Sequence, residues 1–233
     1  MNYIFMVMIP GFVISGIASW MVKSAFNKYS KVPSRRGITG AQAAQMLLDQ
    51  AGITDVQVVP TSGYLSDHYN PTNKTLALSE PVYNSSSVAA LGVATHEAGH
   101  AIQHATAYAP LWLRSALVPT VGIGSNIGVY AMMIGAGLMT AEMGLGRIVF
   151  IVGVAAFSCV LLFQLVTLPV EFNASSRARK LVVEAGIIDV DERKGIDRVL
   201  TAAAMTYVAA AVSSALTLIY FLMRSGILGG SND

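Results

Sequence analysis

Three of the chain's four histidines lie at four-residue intervals in the segment ATHEAGHAIQH, residues 94–104. On an α-helix, residues four apart share one face, so His96 and His100 can both give a ring nitrogen to one metal ion. Glu97 is offset by one position and can reach a water molecule at the metal, which is the H-E-x-x-H arrangement of zinc peptidases. The spacing therefore predicts one Zn²⁺ per chain, with Glu97 as the general base. The alternative is a polar helix face whose two histidines bind no metal.

A catalytic zinc site needs a third protein ligand. His104 lies two helical turns from His96, about 12 Å along the helix axis. One ion therefore cannot easily bind His96, His100 and His104 together. We interpret His104 as a supporting or surface residue. Glu171 is the stronger candidate, because it begins the helical segment EFNASSRARK where a long apolar stretch ends. His96, His100 and Glu171 then form a predicted site with an open fourth position.

The composition indicates that these residues are positioned by a membrane protein. Hydrophobic residues make up 54% of the 233 residues and charged residues only 12%, whereas soluble domains have about 25% charged residues. Four stretches carry no charge and reach the roughly 20 helical residues that a bilayer requires. The stretches are residues 1–22, 115–141, 148–170 and 199–223. We therefore predict a mostly α-helical polytopic membrane protein with four transmembrane helices.

The basic residues indicate how these spans are oriented. If the four spans alternate, residues 23–114 and 171–198 share one side and carry 13 of the 15 lysines and arginines. This bias places both polar segments in the cytoplasm. The first span has its basic residues after the apolar stretch, which favours a retained anchor over a cleaved signal peptide. A net charge of +2 gives no indication of nucleic-acid binding.

Residues 23–114 are long enough to form a small α+β unit of the zincin-like metalloprotease kind. Thr39 and Gln42 form a predicted capping box for a helix with a buried stripe, and residues 56–60 have strand composition. The turn at residues 70–73 predicts a β-hairpin. Serines precede the helix that carries the histidines, and that helix is expected to end before Pro110. The predicted stripe consists of Ala44, Leu47, Leu48 and Ala51.

Two motifs together resemble a known family. ATHEAGHAIQH and PVEFNASSRA, with the preceding GYLSDHYNPTNKTLALSEPVYNSSSVAA, resemble the YugP-like neutral zinc metallopeptidases. These are bacterial membrane proteins related in outline to HtpX-type gluzincin proteases. The resemblance implies that His96, His100 and Glu171 bind zinc and that Glu97 is the base. It also implies a multi-pass protein of the bacterial plasma (inner) membrane.

One position departs from the wider HtpX-type pattern. That pattern has an aspartate four residues after the ligand glutamate, where this chain has Ser175. Ser175 is therefore expected to support a ligand more weakly than a carboxylate, or Asn173 to take its place.

The expected function is hydrolysis of peptide bonds in protein segments close to the membrane, through Glu97-assisted attack of zinc-bound water. Candidates for contacts to the substrate or the oxyanion are His68, Tyr69 and Arg177, although His68 is equally explained as a loop histidine. The edge of the predicted hairpin could bind an extended peptide.

Two other functions are compatible with the sequence. A regulatory or scaffold protein could bind zinc with no or latent peptidase activity and dock a membrane partner through glycine-rich spans. A structural zinc normally has four protein ligands, and only three good candidates are visible, which favours catalysis. A transporter could use Asn126 and Gln164, but neither side chain ionises. Close helix packing is the simpler interpretation of Gly124 and Gly128 in the second span.

Overall fold

The computed structural model describes residues 4–141 and 143–225, which fold mainly into helices. A short π-helix, Ile4–Met8, precedes the first α-helix. The α-helices are α1 (Ile9–Tyr29), α2 (Gly40–Gln50), α3 (Glu80–Tyr83), α4 (Val88–Ala105), α5 (Ala109–Thr140), α6 (Leu145–Glu184) and α7 (Arg193–Arg224). The strands are β1 (Gln57–Thr61), β2 (His68–Asn70) and β3 (Thr75–Ser79).

The chain divides into two compact units. One unit comprises Ala18–Trp112 and Pro169–Thr206 and contains the sheet, α2, α3 and α4. The other consists of the remaining described residues and is built from the apolar parts of long helices. Every residue of the predicted metal site belongs to the first unit.

The sheet has three strands in the order β1-β3-β2. β2 pairs with β3 in antiparallel register, with His68 opposite Ala77, which confirms the predicted hairpin. β1 pairs with β3 in parallel, with Val58 opposite Leu76. β3 is therefore the central strand, with β1 along one edge and β2 along the other. Its residues are the most buried of the sheet.

The predicted capping box is confirmed at the start of α2. The Thr39 hydroxyl accepts a hydrogen bond from the Gln42 backbone, and the Gln42 side chain accepts one from the Thr39 backbone. Leu47 and Leu48 are buried in the core as predicted. The prediction for Ala51 was wrong: the helix ends at Gln50, so Ala51 is an exposed C-cap rather than part of the buried stripe.

The helix that carries the histidines, α4, begins after Ser87, whose hydroxyl accepts a hydrogen bond from the Ala90 backbone. It ends at Ala105, before Pro110 as predicted. Small buried residues on α4 allow neighbouring elements to pack closely. The core around it includes Leu47, Leu48, Leu76, Leu78, Leu91 and Ile196.

Within the described residues, three helices are long and apolar enough to cross a membrane: Phe5–Tyr29, Leu145–Glu184 and Arg193–Arg224. A fourth is present if the two parts of α5, Ala109–Gly122 and Gly124–Thr140, count as one span bent by 50°. The fold is thus mostly helical, with three or four candidate spans and a small sheet.

Glycines allow two of these helices to approach each other closely. A Cβ atom added to Gly124 of α5 would lie 2.6 Å from the Ala156 carbonyl oxygen of α6, and one added to Gly128 would lie 2.9 Å from the Phe157 nitrogen. Both contacts confirm the predicted packing role, and both are made within this chain.

α6 is continuous across the position where the apolar stretch ends. Its 40 residues extend for about 60 Å at 1.5 Å per residue, roughly twice the thickness of a bilayer core. Glu171 therefore lies inside a helix, two residues after Pro169. The prediction that Glu171 begins a new helical segment was wrong. α7 likewise starts at Arg193, ahead of the predicted span.

Candidate metal centre

α4 and α6 bring His96, His100 and Glu171 together. The two imidazole rings stack edge to face on adjacent turns of α4, with their centroids 4.7 Å apart. Glu171 Oε2 on α6 lies 3.3 Å from His96 Nε2 and 3.6 Å from His100 Nε2. One potential ligand atom from each residue thus lies within 4.8 Å of the others.

The cluster is shielded from solvent. Glu171 is 2% exposed, and both His100 and Glu97 are 8% exposed. Burial lowers the pKa of His100, but hydrogen bonding to Glu171 and the charges of Glu97 and Glu171 outweigh it, so that the pKa of His100 is raised. Because two carboxylates are buried beside two imidazoles, the site attracts positive charge, either protons or a metal ion.

The donor atoms fit zinc. Two imidazole nitrogens and a carboxylate oxygen are donors that zinc accepts at about 2.0–2.2 Å. Donors at such bond lengths stand about 3.3–3.4 Å apart at tetrahedral angles. The distances from Glu171 Oε2 to the two Nε2 atoms, 3.3 and 3.6 Å, are close to that value. Two of the three donor separations therefore suit ligands that share a small ion.

The other ring nitrogens of both histidines have partners. His96 Nδ1 lies 3.2 Å from the Ser175 hydroxyl. His100 Nδ1 lies 3.0 Å from Gln103 Oε1. Both Nε2 atoms are therefore directed at Glu171, which is the orientation that a shared ion requires. Ser175, at the position where the HtpX-type pattern has an aspartate, contacts a histidine of the cluster.

Gln103 is a component of the site that we did not predict. It is fully buried, and its amide nitrogen donates to the Val170 carbonyl at 2.8 Å and to Asn173 Oδ1 at 3.0 Å. Its spacing of three residues from His100 places it on the same helix face. A polar residue on the buried face of an otherwise apolar helix was the available signal.

Gly99 is the second component that we did not predict. A Cβ atom at this position would lie 2.8 Å from the Ala174 carbonyl oxygen, closer than side chains normally approach backbone atoms. α4 and α6 can therefore approach to the distance at which their ligands meet only because Gly99 has no side chain. The glycine stands between Glu97 and His100 in the motif itself.

The remaining predicted residues have partners outside the ligand cluster. The exposed His68 donates from Nδ1 to the Ser66 carbonyl at 2.8 Å. Tyr69 forms a 2.8 Å hydrogen bond with His104 Nδ1, so these two side chains hold β2 against α4.

Arg177 Nε donates to Asn173 Oδ1 at 2.8 Å. Of the predicted supporting residues, the structure places Ser175 and Asn173, but not His104, in the hydrogen-bond network of the cluster.

Comparisons with known proteins show which sequences this chain is similar to. A family model described as "Putative neutral zinc metallopeptidase" matches residues 4–226. The chain is similar to the "Putative membrane protease YugP" of Bacillus subtilis (strain 168), with 46% identity over 206 residues, covering 88% of this chain and 89% of that protein. No solved structure gives a significant match. Because the match covers nearly the whole chain, the protein belongs to the "Putative neutral zinc metallopeptidase" family.

Proposed function

We propose that the protein is an integral-membrane zinc endopeptidase of the gluzincin type, in which the H-E-x-x-H histidines His96 and His100 and the downstream Glu171 hold one Zn²⁺. The observation that carries this proposal is the convergence of two Nε2 atoms and one carboxylate oxygen in a buried cluster. Family membership supports peptidase chemistry over a purely regulatory zinc site.

Glu97 is the proposed general base. It is buried on α4 beside the ligands, and its charge acts on His100. A zinc ion bound here supplies Lewis-acid chemistry, polarising the scissile carbonyl and acidifying the attacking water. The Glu97 carboxylate accepts a proton from that water as its oxygen attacks the carbonyl carbon. Glu97 then gives the proton to the leaving amine nitrogen as the C–N bond breaks.

The proposed substrates are extended protein segments close to the membrane. β2 is an edge strand of the described sheet and is held against α4 by the Tyr69–His104 hydrogen bond. A peptide that pairs with this edge would lie alongside the helix that carries the motif. His68, on the same strand, is exposed and remains a candidate substrate contact.

The proposed location is the bacterial plasma membrane, with the catalytic unit in the cytoplasm. The charge bias of residues 23–114 and 171–198 supports this orientation, because positively charged segments are retained on the cytoplasmic side.

The decisive experiment compares purified parent protein with Glu97→Gln in detergent, using casein and a quenched-fluorescence peptide library as substrates. We expect zinc-dependent cleavage by the parent, and a loss of about 10²–10⁴-fold in turnover for Glu97→Gln with zinc content retained. Glu80→Gln, an exposed glutamate on α3, serves as the matched control and should cleave at the parent rate. Unchanged turnover in Glu97→Gln would exclude the assigned role.

A second variant tests the ligand set. Glu171→Ala should lose bound zinc under conditions in which Glu97→Gln keeps it. The reason is that Glu171 is one of the converging donors, whereas Glu97 is not. The measurement is metal content after gel filtration. Equal zinc content in parent and Glu171→Ala protein would show that the ion is held elsewhere.

A further inference from the structure

Four side chains in the catalytic unit form one continuous hydrogen-bonded chain that ends on a proposed zinc ligand. Arg177 bonds to Asn173, Asn173 to Gln103, and Gln103 to His100. We propose that this chain fixes the tautomer of His100, and that Gln103, Asn173 and Arg177 are positioning residues of the metal site. The inference rests on the proposed zinc peptidase function, and it assigns Arg177 a role other than substrate contact.

The donor and acceptor of each bond in this hydrogen-bonded chain follow from Arg177, at its outer end. A guanidinium can only donate hydrogen bonds, so the Asn173 atom facing Arg177 Nε must be the amide oxygen. The same oxygen lies 3.0 Å from the side-chain amide of Gln103 and can only accept. Gln103 must therefore present its NH₂ group to Asn173. The Val170 carbonyl, 2.8 Å from the same nitrogen, imposes the same orientation independently.

The orientation of Gln103 then determines the proton on His100. With its NH₂ group directed at α6, Gln103 has its carbonyl oxygen 3.0 Å from His100 Nδ1. A carbonyl can only accept, so His100 Nδ1 must carry the hydrogen. The lone pair of the neutral ring is then on Nε2, the nitrogen 3.6 Å from Glu171 Oε2. The tautomer that can bind a metal through Nε2 is thus selected in advance.

The two histidines differ in this respect. The Ser175 hydroxyl beside His96 Nδ1 can either donate or accept, so it does not select a tautomer. Only His100 has a partner whose polarity is fixed. The hydrogen-bonded chain therefore sets the tautomer of one specific ligand, His100, and does not simply add polar contacts around the site.

Gln103 also joins the two ligand-bearing helices. Its two acceptors on α6, Val170 and Asn173, flank Glu171 in the sequence. One fully buried side chain on α4 thus holds both His100 and the backbone around Glu171. Loss of such an outer partner of a metal-bound histidine typically costs about 10–100-fold in metal affinity.

The first test is zinc affinity, measured by competition with a chelator of known affinity. We expect Gln103→Leu to bind zinc about 10–100-fold more weakly than the parent. Gln45→Leu is the matched control, since Gln45 is an exposed glutamine on α2, and should bind as the parent does. Parent-like affinity in Gln103→Leu overturns the inference. A parent that binds no zinc overturns both this inference and the proposed function.

The second test reads the tautomer directly in zinc-free protein labelled with ¹⁵N-histidine, at a pH at which the His100 ring is neutral, because zinc on Nε2 would itself place the proton on Nδ1. We expect the His100 ring proton on Nδ1, exchanging slowly with solvent, and we expect slow exchange to be lost in Gln103→Leu. A proton found on Nε2, or one unaffected by the substitution, overturns the inference. A purely structural role for Gln103 would change stability without changing this signal. Inactive parent protein with bound zinc would contradict the proposed function alone.

The outer part of the chain is tested with Asn173→Leu and Arg177→Met, which lie nearer the surface and keep Gln103 intact. Both should weaken zinc binding in the same direction as Gln103→Leu but by smaller factors, and both should speed exchange of the His100 proton. Lys180→Met, an exposed cation on the same helix, is the control. Parent-like values for both variants would show that the chain ends at Gln103 and would overturn the role of Arg177.

Discussion

His96 and His100 occupy equivalent positions in the motif but have different surroundings. The ring of His100 is held by a fully buried amide, whereas the ring of His96 faces the Ser175 hydroxyl. A hydroxyl orients an imidazole less strongly than the carboxylate that the HtpX-type pattern has at this position. We therefore expect the zinc site to depend more on Gln103 than on Ser175.

The contribution of Ser175 can be measured with Ser175→Ala. This variant loses one neutral hydrogen bond to His96, so zinc affinity should fall by no more than about tenfold, the lower limit for such partners. Ser176→Ala, an exposed neighbour on the same helix, is the control and should bind zinc normally. A loss as large as that of Gln103→Leu would show that His96 is oriented mainly by the serine.

The motif residues could be predicted because their spacing is local. His96 and His100 share a face on any helix, and the end of the apolar stretch marked Glu171 as the best third ligand. Gln103 and Gly99 were missed although they lie in the same helix. Their roles depend on Val170, Asn173 and Ala174, which come from a helix much later in the chain.

At the scale of the elements, the contact between α4 and α6 determines the ligand geometry. Gly99→Ala would place a Cβ atom 2.8 Å from the Ala174 carbonyl oxygen, so one helix backbone must move. Overpacking of this kind costs about 1–3 kcal/mol, against a gain in helix propensity of about 1 kcal/mol. We expect a lower thermal unfolding midpoint and weaker zinc binding.

Gly92→Ala is a control on the same helix. Its added Cβ atom would lie 3.5 Å from the Ile196 side chain, an ordinary contact distance, so this variant should be as stable as the parent or slightly more so. If Gly99→Ala behaves like Gly92→Ala in stability and zinc binding, the close approach is not what positions the ligands.

Local signals predicted some elements and not others. The capping box and the hairpin depend on residues close in sequence, and both were correct. The parallel pairing of β1 with β3 joins strands separated by β2, and no local pattern indicates it. The continuity of α6 was missed for another reason. Hydropathy shows where a chain leaves lipid, whereas a helix can continue into the aqueous phase.

At the scale of the whole molecule, the distribution of basic residues predicts the membrane topology, and this prediction can be tested by cysteine labelling. The single Cys159 can be replaced by alanine, and new cysteines introduced at the exposed positions Ser176 and Ala141. In spheroplasts, a membrane-impermeant maleimide should label Ala141→Cys but not Ser176→Cys, because residues 171–198 are proposed to be cytoplasmic. Lysis should make both reactive. The reverse pattern would place the unit that contains the proposed metal site outside the cell.

The proposed zinc ligands are divided between two helices that are distant in sequence, and this has a thermodynamic consequence. An unfolded chain keeps His96 and His100 near each other but not near Glu171, so tight binding is available only to the folded protein. The ion then acts as a ligand of the native state. At a free concentration 100 times its dissociation constant, it would add about 2.7 kcal/mol to the free energy of unfolding. Metal supply would thus govern the lifetime of the protein as well as its activity.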